Sequence, residues 1–193
     1  MSIALVTGGS RGLGRDMALK LAQSGHDVLL TYVSNPEAAE AVVAEIAGLG
    51  QRAHALRLDV AKAEDFPAFF ETVRAALRSE FDAERFDYLV NNAGIGLHRP
   101  FEETSVEDFD LMMNAHLKST FFLTQGALEL LNNGGGVVNV SSGLARFSFP
   151  GAAAYATMKG GVEVLTRYMA QTLGARGIRV NVLAPGAIAT DFN

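Results

Sequence analysis

The sequence predicts an α/β protein with a doubly wound parallel sheet, because short apolar segments alternate with longer helical patterns along the whole chain. These segments are almost continuously apolar, which is typical of strands buried on both faces of a sheet. The predicted strands are 3–6, 28–33, 53–58, 88–90, 137–140 and 178–183. The predicted helices are 12–24, 36–48, 65–80, 105–131 and 153–174. Since we find no linker or internal repeat, we predict one three-layer α/β/α domain over residues 1–193.

The composition narrows the classes of function. The net charge is −5 and there is no basic run, which argues against nucleic acid or an anionic membrane as a partner. The chain has no cysteine, so we expect no disulfide, no thiolate metal site and no cysteine nucleophile, and we predict no bound metal. The N-terminus has no signal-peptide pattern and no segment is long enough for a membrane span, so we expect a cytoplasmic protein.

A glycine-rich loop follows the first predicted strand directly. Its spacing is Gly8-x-x-x-Gly12-x-Gly14. The first glycine permits a tight turn, the second lets a pyrophosphate approach the backbone, and the third lets the next helix pack closely. The positive end of that helix attracts phosphate. The alternative is a turn that binds nothing. The loop residues that we expect to bind a dinucleotide are Gly8, Ser10, Arg11, Gly12, Leu13 and Gly14.

The end of the second predicted strand bears on which dinucleotide would bind. An acidic residue there would accept hydrogen bonds from the ribose 2′-hydroxyl of NAD, but Tyr32 stands in about that position. Arg11 lies in the glycine loop, where its guanidinium could pair with a 2′-phosphate. We therefore predict NADP(H), with Ser34 and Asn35 as secondary phosphate contacts. The alternative is that Arg11 points to solvent.

Tyr155 and Lys159 are four residues apart, so they lie on one face of a predicted helix. A positive charge about 4 Å away stabilises a phenolate by about 4 kcal/mol at an effective dielectric constant of about 20, so we expect Lys159 to lower the pKa of Tyr155. The alternative is a surface helix with an extended lysine. Ser141 and Ser142 end a predicted strand, and either hydroxyl could donate to a substrate carbonyl.

These motifs resemble the classical short-chain dehydrogenase/reductase family. The resemblance rests on the glycine loop, Asn91-Asn92-Ala93-Gly94, Ser142, Tyr155-x-x-x-Lys159 and Pro185-Gly186, in the family's order. The chain is most similar to the 3-oxoacyl-carrier-protein reductases and related NADPH-dependent ketoreductases. The resemblance implies a Rossmann fold and hydride transfer between NADP(H) and a carbonyl or secondary alcohol, with a 3-oxoacyl thioester as the favoured substrate.

The resemblance also implies roles for individual residues. Ser142 would hydrogen-bond the carbonyl oxygen, and Tyr155 would donate the proton. Lys159 would stabilise the tyrosinate and hydrogen-bond the nicotinamide ribose. Asn114 would bend its helix and hold a water that refills the proton. His98 and Arg99 would be candidate neighbours of the substrate.

The remaining cofactor contacts follow from the same resemblance. Asp59 and Val60 would contact the adenine, although an equally good role for Asp59 is to cap the next helix. The segment after the fourth strand would line the adenosine pocket, and its two asparagine amides could tie adjacent strands together. The residues expected there are Asn91, Ala93 and Gly94. The residues expected at the nicotinamide are Pro185, Gly186, Ile188 and Thr190.

Three further expectations concern the whole molecule. In the family, the helices at 105–131 and 153–174 commonly pair across a dimer interface, so the resemblance implies a homo-oligomer. The stripe of Val162, Leu165, Met169 and Leu173 is therefore either core or subunit contact. The resemblance implies that a C-terminal region covering the substrate is missing from the chain. The alternative function is a catalytically silent NADP(H)-binding sensor or scaffold.

Overall fold

The computed structural model describes residues 2–188 and contains one six-stranded, entirely parallel sheet with helices on both faces. The strands are β1 (Ile3–Val6), β2 (Asp27–Tyr32), β3 (Ala53–Arg57), β4 (Phe86–Asn91), β5 (Leu131–Val140) and β6 (Arg179–Leu183). The helices are α1 (Gly12–Gln23), α2 (Pro36–Gly48), α3 (Phe66–Phe81), α4 (Val106–Met112), α5 (Ser119–Ala127) and α6 (Ala153–Leu173).

The strand order is β3-β2-β1-β4-β5-β6, the order of a doubly wound sheet. The order reverses between β1 and β4, where the chain crosses from one half of the sheet to the other. Ligands bind such sheets at the carboxyl ends of the strands beside this switch point. The predicted fold class is confirmed.

Each face of the sheet has its own apolar core, because successive residues of a strand point to opposite faces. Leu5 packs in the cluster that contains the phenylalanines of α3 and the buried residues of α5. Its neighbour Val6 packs in the other cluster, against the small residues of α1 and the apolar face of α2. The strands are apolar along their length, as predicted, because side chains on both faces of the sheet are buried.

The prediction of one continuous helix over 105–131 is wrong. The structure divides it into α4, a π-helical segment over Met113–Lys118, and α5, after which Leu131 already begins β5. A π-helix has i→i+5 hydrogen bonds and turns by a different angle per residue than an α-helix. The segment faces α6, where a Cβ on Gly161 would lie 2.9 Å from Leu117 Cδ2.

The strand predicted over 137–140 begins earlier, because the glycine-rich stretch 132–136 lies within β5. The pairing of β4 with β5 shifts register between Phe86 and Tyr88, and Gly134 has a φ of +78°. A Cβ on Gly135 would lie 2.3 Å from the Asp87 carbonyl oxygen. The glycines therefore mark a bulge at which the two strands approach closely.

A buried polar ladder crosses the sheet next to this bulge. Asn91 and Asn139 are partners in the β4–β5 register, and Asn91 Nδ2 donates to Asn139 Oδ1 at 2.8 Å and to Thr124 Oγ1 at 2.9 Å. Asn139 Nδ2 donates to Thr166 Oγ1 at 2.9 Å. The ladder therefore connects α5, β4, β5 and α6 by side-chain hydrogen bonds alone.

The apolar stripe of α6 is mainly core. Val162 and Leu173 are buried, and Met169 packs on the cluster of α3 and α5. The opposite face of α6 exposes Val164 and Tyr168. Among the helices of residues 2–188, none combines the length and hydropathy that a membrane crossing would need.

Candidate active site

A cavity of about 730 Å³ opens at the carboxyl ends of the strands, at the switch point between β1 and β4. Its wall includes the glycine loop after β1, the segment after β4, the end of β5 and the start of α6. The volume lies within the range of cofactor and substrate pockets. The predicted site residues that line it are Gly8, Ser10, Arg11, Gly12, Leu13, Gly14, Tyr32, Ser34, Asn35, Asp59, Val60, Ala93, Gly94, Ser142, Tyr155, Lys159, Pro185, Gly186 and Ile188.

The glycine loop is built for close approach. Gly8 has a φ of +66°, a conformation that side chains other than glycine rarely adopt. A Cβ on Gly14 would lie 2.1 Å from the Gly8 carbonyl oxygen, so α1 packs directly on the turn. Arg11 is the N-cap residue of α1 and supplies no side-chain cap. The first backbone N–H groups of α1 are therefore not capped by the Arg11 side chain and face the position where a pyrophosphate would bind.

The rim near β2 carries the residues predicted for a 2′-phosphate. Arg11 is exposed, and Tyr32, Ser34 and Asn35 line the same end of the cavity. The side-chain oxygen of Asn35 caps α2 by accepting from Ala38 N at 2.9 Å. Among the described residues of the cavity wall, Asp59 is the one carboxylate.

Asp59 has a local partner as well as a place in the cavity wall. Its Oδ1 accepts from the backbone N–H of Ala61 at 3.1 Å, which closes a turn after β3. The following short 3₁₀-helix, Ala63–Asp65, has Lys62 as its N-cap residue. Asp59 is therefore not the helix cap that we considered as an alternative.

The other end of the cavity brings Ser142, Tyr155 and Lys159 together. The Ser142 side chain hydrogen-bonds the Tyr155 phenol. Lys159 is buried, its Nζ lies 5.5 Å from the centre of the Tyr155 ring, and it donates to the Val140 carbonyl oxygen at 2.8 Å. The surface-helix alternative for the Tyr–Lys pair is wrong, because the lysine lies inside the protein.

The expected effect of Lys159 on Tyr155 is also wrong. Burial raises the pKa of Tyr155 above its ordinary value, and the hydrogen bond with Ser142 offsets only part of that rise. Burial lowers the pKa of Lys159 to about 8. The lysine therefore loses its charge at a lower pH than the phenol does, so it is charged only where the free phenol is still protonated. At neutral pH the phenol keeps its proton beside a charged ammonium.

The side chains of the two adjacent serines have different surroundings. Ser141 is buried, and its Oγ lies 3.2 Å from both the Lys159 carbonyl oxygen and Glu163 Oε1. Ser142 points to the cavity and also accepts from Leu144 N at 3.2 Å. Both serines line the cavity, and of the two it is Ser142 that hydrogen-bonds the Tyr155 phenol and is placed for a ligand there.

Some predicted residues lie elsewhere. Asn91 does not line the cavity, because its amide is buried in the polar ladder, as the strand-tying interpretation expected. Asn114 does not line it either, because the π segment presents Ala115 and His116 there instead. Arg99 pairs with Asp108 at 3.3 Å rather than facing the cavity, whereas His98 lines it. Thr190 lies outside the described residues.

Two residues of the site were not predicted as functional. Asn92 Nδ2 donates to the backbone oxygens of Thr7 at 2.9 Å and Gly8 at 3.3 Å, so it holds the glycine loop in place. Its neighbour Asn91 carried the same sequence signal, and only the alternation of the strand separates them. His116 forms part of the cavity wall beside Tyr155, and no motif in the sequence marked it.

A glycine loop at the switch point and a Ser–Tyr–Lys group across the cavity define a dinucleotide-binding α/β protein equipped to move a proton. The family model described as short chain dehydrogenase matches residues 2–193. The chain belongs to the short-chain dehydrogenase family.

Individual relatives agree with this assignment. The hydroxynaphthalene reductase-like protein Arp2 of Metarhizium robertsii is 40% identical over 191 residues, which are 98% of this chain and 69% of the relative. The 3-oxoacyl-[acyl-carrier-protein] reductase FabG of Staphylococcus aureus is 38% identical over 98% of this chain and 75% of the relative. The crystal structure of the angucycline C-6 ketoreductase LanV with bound NADP has a TM-score of 0.95, 38% identity, and coverage of 98% of this chain and 74% of that chain.

Proposed function

We propose that this protein is an NADP(H)-dependent oxidoreductase that interconverts a ketone and a secondary alcohol. The observation that carries the proposal is that Ser142, Tyr155 and Lys159 line the same cavity as the glycine loop. A silent sensor would need the loop but not a buried lysine beside a protonated phenol. The NADP-bound ketoreductase among the structural neighbours supports the same function.

The cavity residues fit a dinucleotide phosphate. The N-terminus of α1 and the glycine loop would hold the pyrophosphate, because Gly14 leaves no room for a side chain between helix and turn. Arg11 would pair with the 2′-phosphate at a rim where Tyr32 stands in place of the acidic residue that would repel it. Pro185, Gly186 and Ile188 would border the nicotinamide end. When bound, the cofactor supplies or accepts the hydride.

The protein contributes the proton and the positive charge that stabilises the group left behind when the proton is transferred. Because burial raises the pKa of Tyr155, the phenol is protonated at neutral pH and can act as the acid in ketone reduction. Ser142 would hold the carbonyl oxygen next to that phenol. Lys159, with a pKa of about 8, remains charged at neutral pH and stabilises the phenolate that forms when the proton leaves. The arrangement therefore favours reduction near neutral pH.

The substrate belongs to one of two ketone classes that the relatives suggest. The relative from Staphylococcus aureus is named as a 3-oxoacyl-[acyl-carrier-protein] reductase, and LanV as an angucycline C-6 ketoreductase. We propose the 3-oxoacyl thioester as the first substrate to test and a polycyclic aromatic ketone as the second. A cytoplasmic location and a homo-oligomeric state stay predictions.

The test is NADPH oxidation with a panel of both ketone classes. Tyr155→Phe should lower turnover by about 10²-fold or more, because the variant lacks the proton donor while the ring remains. Its dissociation constant for NADPH should stay close to that of the wild type. The readout for this constant is the fluorescence of NADPH itself, because the chain has no tryptophan whose quenching could be followed instead. Normal turnover by the variant would refute the role of Tyr155, and NADPH binding without reduction of any ketone by the wild type would favour the sensor.

The cofactor preference has its own variant. Arg11→Ala should weaken NADPH binding by about tenfold or more, because one charged hydrogen bond to the 2′-phosphate is worth about 1.5–3 kcal/mol. Binding of NADH, which lacks that phosphate, should change little. Equal weakening of both cofactors would contradict the assignment of Arg11 to the 2′-phosphate.

A further inference from the structure

His116 is a buried histidine in the wall of the cavity, in the π-helical segment between α4 and α5. The residue is only 2% exposed. Its ring meets the Tyr155 ring edge to face, with centroids 5.1 Å apart and an interplanar angle of 86°. The proposed proton chemistry gives it no role, although it contacts the proton donor.

The same ring is anchored to the segment after β4. His116 Nε2 lies 2.8 Å from the Ile95 carbonyl oxygen, within hydrogen-bond distance. A Cβ on Gly94 would lie 2.6 Å from His116 Cε1, so the absence of a side chain at this glycine makes room for the imidazole. The His116 side chain therefore contacts the segment after β4 on one side and Tyr155, which lies on α6, on the other.

The imidazole is neutral in this environment. Burial and the charge of Lys159 lower the pKa of His116 to about 3, and the hydrogen bond to Ile95 opposes that shift. Nε2 lies 2.8 Å from the Ile95 oxygen and 3.4 Å from the Ile95 nitrogen, so we place the ring proton on Nε2, where it serves the shorter contact. Nδ1 is then a bare acceptor, and it is buried with no hydrogen-bond partner within residues 2–188. Burying an unpaired acceptor is unfavourable, so stability alone would favour an apolar ring here.

We propose that His116 is a positioning residue for Tyr155, because its ring ties the backbone at Ile95 to the face of the phenol and so fixes where the phenolic hydroxyl stands. This inference rests on the proposed function and names a residue outside the Ser–Tyr–Lys group. Proton transfer depends steeply on such placement, since a misplacement of about 1 Å can cost about 10²-fold in rate. His116 touches neither the carbonyl nor the proton in this scheme.

Two variants separate the contacts of the ring. His116→Phe keeps an aromatic ring against Tyr155 but cannot donate to Ile95. His116→Gln keeps a donor for Ile95 but removes the ring. We expect each to lower kcat by about tenfold or more, with the NADPH dissociation constant within about twofold of the wild type. His116→Phe should also unfold at no lower a urea concentration than the wild type, because it removes the unpaired Nδ1.

A matched control lies outside the cavity. His26 packs edge to face on Tyr88 with ring centroids 5.3 Å apart, and its Nδ1 hydrogen-bonds Ser2 Oγ. His26→Phe therefore makes the same chemical change at a second His–Tyr pair. It should leave kcat unchanged. A fall in kcat for His26→Phe equal to that for His116→Phe would overturn the proposal, as would wild-type kcat in both His116 variants.

A measurement without turnover keeps this inference separate from the proposed function. The chain has four tyrosines, and Tyr155→Phe identifies the resonance of Tyr155 in ¹³C-tyrosine NMR titrations. Removal of the ring in His116→Gln should admit water and lower the pKa of Tyr155 toward its ordinary value, while His116→Phe should keep it raised. An unchanged pKa in His116→Gln would overturn the proposal. Failure of the wild type to reduce any ketone would instead overturn the proposed function.

Discussion

Gly14 offers a direct test of how tightly α1 packs on the glycine loop. In Gly14→Ala, the new Cβ would lie 2.1 Å from the Gly8 carbonyl oxygen and 2.5 Å from Asn92 Nδ2. The nearest atom belongs to backbone whose φ of +66° is fixed by the turn, so it cannot move aside like a flexible side chain. Overpacking of this kind costs about 1–3 kcal/mol, and we take about 3 because the contact is with backbone.

Part of this cost is offset by helix propensity. Alanine is favoured over glycine inside a helix by about 1 kcal/mol, so the net loss should be about 2 kcal/mol. For a chain of this length the melting temperature should fall by about 6 °C. Binding of NADPH should weaken as well, because the loop must move to admit the methyl group.

Gly160 is the matched control. It lies inside α6, and a Cβ there would meet nothing within 4 Å among the described residues. Gly160→Ala should therefore show only the propensity gain of about 1 kcal/mol and a melting temperature about 3 °C higher. Urea and thermal unfolding of the two variants beside the wild type measure both effects. A Gly14→Ala protein as stable as the wild type would refute the packing argument, and destabilisation by Gly160→Ala would show that propensity does not set the baseline.

Two further predictions concern buried ionisable groups. Asp27 is fully buried and accepts from the backbone and guanidinium of Arg52 at 2.8 and 2.7 Å. Asp27→Asn should lower the free energy of unfolding by about 2 kcal/mol in urea titrations, and no loss would contradict the pairing. His116 has a folded-state pKa of about 3 against 6.5 when unfolded, so the unfolded chain binds the extra proton between these values. Stability should fall by about 2 kcal/mol more for wild type than for His116→Phe between about pH 7 and pH 5; equal slopes would contradict burial of a neutral imidazole.

The sheet and most of the site could be predicted from the sequence because their signals are local. A strand buried on both faces must be apolar along its length, and the glycine loop must avoid side chains where α1 meets the turn. The Tyr155–Lys159 pair needed only the i, i+4 spacing of a helix. Both residues line the cavity together with the glycine loop.

The misplaced features depend on geometry that residue patterns do not record. An apolar pattern does not distinguish a π-helical segment from an α-helix, so the sequence did not show that Ala115 and His116 would face the cavity. The glycines at 134 and 135 have the composition of a linker, but the nearness of the Asp87 carbonyl requires one of them inside a strand. The pKa of Tyr155 depends on burial, which spacing alone does not give.

The polar ladder links the register of β4 and β5 to the geometry of the candidate active site. Asn91 meets Asn139 across β4 and β5, and a slip of one residue would place Asn91 against Val138 or Val140 and turn the two amides to opposite faces of the sheet. The same two strands carry Gly94 and Ser142 a few residues further on. If β4 and β5 paired in another register, two buried amides would lose their hydrogen-bond partners. The hydroxyl of Ser142 would also be displaced from the wall of the cavity that would receive the cofactor. The asparagine pair therefore favours the one register of β4 and β5 that brings these groups together.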